Sequence, residues 1–149
     1  MIKITKITKI FLVTIIISSC GSDNIENKVI SDPVNVVVDP MTDKGIGPIT
    51  SVNLGDINSN SVEEGKKIFI SKCSACHKID KRYIGPALKG IINRRTPEWI
   101  MNMIMNPEEM LIKNEIAKQL LIEYSAPMAN QGINEEDARK ILEFLRTEN

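Results

Sequence analysis

The chain has 149 residues, with 19 basic and 19 acidic side chains, one histidine and three cysteines. Three lysines fall in an acid-free start, so residues 20–149 carry about −3 net charge, which excludes a strongly basic nucleic-acid binder. A single histidine excludes a histidine-rich metal site, three cysteines exclude a disulfide-dense scaffold, and 4% aromatic content leaves a core poor in large rings.

The first nineteen residues read as an export signal. Lys3, Lys6 and Lys9 precede the apolar run 10–17, which is too short for a hydrocarbon core that needs about 20 residues of helix. The run ends Ile17-Ser18-Ser19-Cys20, which resembles a bacterial lipobox. That resemblance makes Cys20 the lipid-bearing mature N-terminus. Gly21 stands where an aspartate would retain such a protein at the inner membrane, which favours the outer membrane. The expected location is the periplasmic side, anchored by lipid.

Residues 20–60 are expected to be a flexible linker. Positions 21–60 contain no aromatic residue and three prolines, with six acids against Lys28 and Lys44. Such a composition buries too little apolar area to offset ordering entropy. Val34–Val38 has strand-forming residues without an obvious partner strand. As a free coil the linker would span about 35 Å.

The folded domain is expected over 61–149. Ser61 and Glu64 form a capping box, and Val62, Gly65, Ile68 and Phe69 share a face of the helix that follows. Thr96-Pro97 opens a second helix with Trp99, Ile100, Met103 and Ile104 on one side. Asn106-Pro107-Glu108-Glu109 is another start signal, and a break is expected near Asn114. Asn134 caps a last helix bearing the stripe Ala138, Ile141, Leu142 and Leu145. No segment of this region alternates as a strand, so the domain is expected to be all-α.

The chemistry lies at Cys73-Ser74-Ala75-Cys76-His77. C-x-x-C-H is the attachment signature of c-type haem. Two residues between the thiols let both sulfurs reach the two vinyl groups on one porphyrin edge, and the adjacent histidine gives iron a nitrogen. A thioredoxin-like dithiol would need a βαβ setting, and zinc would need four ligands; the sequence offers neither. His77 is the only histidine, so a second axial ligand must be something else. Met101, Met103, Met105, Met110 and Met128 are the candidates. Met128 is the expected ligand, in the loop Ser125-Ala126-Pro127-Met128-Ala129 and 51 residues after His77; Met110 is the next candidate.

From Ser61 onward the order of these features resembles a class I monohaem cytochrome c: first helix, C-x-x-C-H, Gly85-Pro86-Ala87-Leu88-Lys89-Gly90, middle helices, Pro-Met loop and last helix. The resemblance implies three to five helices wrapped around one covalently bound haem c. It implies that the Pro86 carbonyl accepts the N–H of His77, and that Gly65 and Phe69 pack on Phe144. Trp99 and Arg94 are candidate neighbours of a haem propionate, as are Tyr83 and Arg95, although a core role for Trp99 has equal weight. The middle of the domain is longer and more helical than in minimal family members. The stretch from Arg94 to Met110 and the Pro-Met loop also resemble small cytochromes associated with nitrous oxide reductase systems.

These features imply an electron carrier rather than an enzyme. Nine basic side chains and one acid, Asp80, fall between residues 66 and 95, a face suited to an acidic redox partner. The alternative is a haem-based sensor that binds NO or CO when a labile Met128 leaves. A peroxidase ranks last, for want of a distal base.

Overall fold

The computed structural model describes residues 38–149. The export signal, Cys20 and the first part of the expected linker, residues 20–37, lie outside the described residues. So do positions 34–37 of the Val34–Val38 stretch.

Among the described residues five α-helices form, four of them where a side chain accepts a free N–H of the first turn. The first, α1 (Ser59–Lys72), starts two residues before the expected capping box, because Asn58 accepts the amide of Ser61 at 3.0 Å. The second, α2 (Pro97–Met105), is capped as expected by Thr96, whose hydroxyl accepts the amide of Trp99 at 3.1 Å. The expected break at Asn114 separates α3 (Pro107–Lys113) from α4 (Glu115–Tyr124), and Asn114 caps the latter through the amide of Ala117. The last, α5 (Glu135–Thr147), is capped by Asn134 through the amide of Asp137 at 2.8 Å. No strand occurs among the described residues, and none of their helices is long and apolar enough to cross a membrane.

The frame is the crossing of α1 on α5. Gly65 makes it possible, since a Cβ there would lie 1.9 Å from the carbonyl oxygen of Lys140. One turn along, the rings of Phe69 and Phe144 meet with centroids 5.3 Å apart. The face of α5 predicted to be apolar is buried, with Ala138, Ile141, Leu142 and Leu145 each no more than 3% exposed. Helix α2 packs on α5, and α3 and α4 pack on each other.

Residues 38–57 depart from the flexible linker expected over 20–60. They form a strap fastened to the helices by side chains far away in sequence. Asn102, 1% exposed, accepts the amide of Ile49 and donates to the carbonyls of Lys44 and Ile49, all within 3.0 Å. Asn106 donates to the carbonyl of Ile46, and the hydroxyl of Thr96 donates to that of Asp43. Glu98 accepts the amide of Val52, and Arg146 donates to the carbonyl of Gly55. Gly45, at φ +74°, lets the strap lie against Met110. The strap is held by these bonds, each worth about 1 kcal/mol net, and by Ile49, which joins the core with Val38, Ile46 and Val52 packed against it.

Candidate haem-binding site

The Cys73–His77 motif is built as the C-terminal exit of α1. The amide of Cys73 bonds to the carbonyl of Phe69, and the amides of Cys76 and His77 both bond to the carbonyl of Cys73. This compact turn places Cys73, Cys76 and His77 together on the wall of a cavity of about 490 Å³. Its volume falls in the range of roughly 300–1,000 Å³ usual for cofactor pockets.

The segment 85–90 lies against this turn as a second layer. The amide of Gly85 bonds to the carbonyl of Cys76, that of Leu88 to Lys78, and that of Lys89 to Ile79. Pro86 is thereby fixed with its carbonyl 3.2 Å from Nδ1 of His77. The Nδ1–H donates to it, which leaves Nε2 with a lone pair for a metal. Burial lowers the pKa of His77 below its ordinary value, with the Pro86 bond opposing, so the imidazole is neutral and able to ligate near neutral pH. Gly85 is as close to this ring as backbone can come, since a Cβ there would sit 2.5 Å from Cε1 of His77. The two thiols differ. Cys76 is exposed, whereas Cys73 is partly buried and its thiol is pushed up to about 11 by desolvation first and Cys76 second.

Among the five candidate methionines, Met103 and Met128 line the cavity. Met110 is fully buried elsewhere, its sulfur accepting the amide of Ile46, and Met101 is packed in the core. Met128 reaches the cavity because α4 ends at Ser125 in the left-handed conformation, φ 51°, which turns the chain into the Ala126-Pro127-Met128 loop.

The polar candidates are arranged differently from the sequence expectation. Trp99 lines the cavity with its ring, but its indole N–H is donated to Oδ1 of Asn114 at 3.2 Å. The guanidinium of Arg94 is engaged by the carbonyls of Ala87 and Lys89. Tyr83 is exposed, with the Lys78 ammonium over its ring. Arg95 lines the cavity and stacks over Trp99, 5.2 Å from the ring centroid. Its Nε is the one buried side-chain N or O atom without a partner among the described residues. An orphaned buried donor is costly. The residues lining the cavity fit the haem that the motif implies: two thiols, an imidazole and methionine thioethers within a largely apolar lining.

Sequence reading missed Asn102 and Asp43, and it gave Asn114 only as a helix break, not as the partner of Trp99 and Asp43. A signal existed for the first. An asparagine inside the apolar run Trp99-Ile100-Met101-Asn102-Met103-Ile104 must either break the helix face or be buried with partners.

The chain was compared with known families and structures. Residues 62–149 match the family model described as Cytochrome c. A cytochrome c from Rhodothermus marinus superposes with TM-score 0.67 at 42% identity, over 68% of this chain and 88% of that one. The cytochrome c domain of a Pseudomonas putida protein gives TM-score 0.53 at 27% identity, over 56% and 86% of the two chains. Cytochrome c2 from Rhodopseudomonas palustris is 33% identical over 45 residues, which span 30% of this chain and 32% of that protein.

Proposed function

This chain belongs to the cytochrome c family, and from that premise we propose that it is a one-electron carrier tethered at the periplasmic side of a membrane. The cofactor of the family is one covalently attached haem c, which supplies ferric–ferrous exchange. Cys73 and Cys76 would form its thioethers, and His77, oriented by Pro86, would give the iron a nitrogen. Met128 would give it a thioether, a ligand that raises the reduction potential. Cys20 carries the lipid, and the strap joins the outgoing chain to the domain. The electron partner is a protein of a respiratory chain, nitrous oxide reductase systems included.

The observation that carries this reading is the common cavity of Cys73, Cys76, His77 and Met128. The exposed side of the motif supports the docking role. Lys72 lines the cavity, and Lys72, Lys81 and Lys89 are exposed; a basic rim of this kind would steer an acidic partner and weaken with salt.

The test is the visible spectrum of the haem-loaded mature protein, oxidised and reduced, with and without CO. A low-spin c-type spectrum unchanged by CO is expected. A spectrum that shifts at once with CO would replace the carrier with the gas-binding reading. Absence of covalent haem would overturn both.

The His77–Pro86 arrangement makes a separate prediction. Gly85→Ala drives a methyl group into the imidazole, with the nearest ring atoms 2.5 and 2.8 Å away. It is expected to destabilise the haem-loaded protein by about 1–3 kcal/mol, read as a lower denaturation midpoint. A change in the visible spectrum should accompany it as His77 is displaced.

A further inference from the structure

One carboxylate links the strap, through Asn114, to the cavity-lining Trp99. Oδ1 of Asp43 accepts the amide of Gly45 at 2.8 Å, and Oδ2 accepts Nδ2 of Asn114 at 2.7 Å. That second bond fixes the amide orientation of Asn114, whose Oδ1 receives both the indole N–H of Trp99 and the amide of Ala117. Trp99 in turn is the platform under Arg95. The Asp43 carbonyl also accepts the hydroxyl of Thr96, the residue next to Arg95. Asp43 is thus bonded on both sides of the Arg95–Trp99 pair.

The charges agree with this layout. Burial, then the neighbouring Arg94, disfavour the charged form of Arg95, and Asp43 favours it. A guanidinium with a buried, unpartnered N–H needs such a counter-charge to stay at the cavity wall rather than turn to water.

We propose that Asp43, in the strap, is a positioning residue of the haem site: it holds Asn114, Trp99 and Arg95 so that the Arg95 guanidinium stays at the cavity wall and raises the haem reduction potential. The inference rests on the reading of the cavity as a haem c site. A fixed positive charge there favours the reduced state, which carries one positive charge fewer. Only a carboxylate serves this place, because both of its oxygens face donors. An asparagine of the same shape would turn its NH₂ toward either the Gly45 amide or the Asn114 amide group.

The test is the midpoint potential of four haem-loaded proteins: wild type, Asp43→Asn, Arg95→Gln and the double variant. The direct and positioning effects have opposite signs. Removing a nearby negative charge by itself raises the potential, whereas releasing Arg95 lowers it. The expected result is a fall for Asp43→Asn, a fall for Arg95→Gln, and no fall when Asp43→Asn is added to Arg95→Gln. A rise or no change in Asp43→Asn, or an equal fall in both backgrounds, would overturn the proposal while leaving the haem site intact. A wild type without covalent haem would overturn it together with the reading of the site. The near-isosteric substitution keeps the fold, and a denaturation midpoint for each variant separates a local change from a global one.

Discussion

Met128→Ala is expected to open the iron to external ligands. On the proposed ligation, the Met128 thioether would compete with CO for one coordination position in the wild type. A bond that holds the closed state by about 3 kcal/mol lowers apparent CO affinity about 100-fold. The variant should gain that factor, and its potential should fall because a methionine ligand favours ferrous iron. CO titration of the reduced protein and a potentiometric titration read the two effects. Met103→Ala is the matched control, since Met103 also lines the cavity but lies inside α2. It should lose packing without gaining CO affinity. If Met103→Ala rather than Met128→Ala opens the iron, the axial assignment passes to α2.

Gly65→Ala should produce the largest loss of stability from a single methyl group. The added Cβ would lie 1.9 Å from the carbonyl oxygen of Lys140, 2.4 Å from its carbon and 2.9 Å from the amide nitrogen of Ile141. All three are backbone atoms of α5, so no side chain can rotate away, and α1 and α5 must separate. The cost belongs at the upper end of overpacking, about 3 kcal/mol. For a domain of this size that is a fall in Tm of roughly 10–20 °C. Separation would also part the rings of Phe69 and Phe144 and loosen Cys73, which hangs from the end of α1. Gly55→Ala is the control, because nothing lies within 4 Å of a Cβ there; its Tm should change little. A small shift for Gly65→Ala would mean that the helix crossing is compliant.

The helices were legible because their determinants are local. Thr96, Asn114 and Asn134 each cap an amide within one turn, and Asn106-Pro107 marks a start through proline at the first helical position. The start of α1 moved because Asn58 lies just as close as Ser61 and presents a better-placed oxygen. The buried stripe of α5 follows from helical period alone. The haem motif was legible for the same reason, since two thiols and an imidazole within five residues hold their chemistry in one turn.

Local sequence signals therefore carry the all-α class, the starts of α2 to α5, the buried face of α5 and the place of the attachment motif. The packing of the chain set the rest. It gathered Met128 to the cavity and set Met110 apart from it. It turned the Trp99 N–H toward Asn114 and left Arg95 with the unpartnered donor. It also converted half of an expected tether into a strap. The physical reason is common to all of these. The partners of the strap stand 46 to 91 residues away from it along the chain. A composition window contains the donors and acceptors of its own segment, but not the distant asparagines and carboxylates that satisfy them. Bonds closed across the fold become visible only when the helices have brought both ends together.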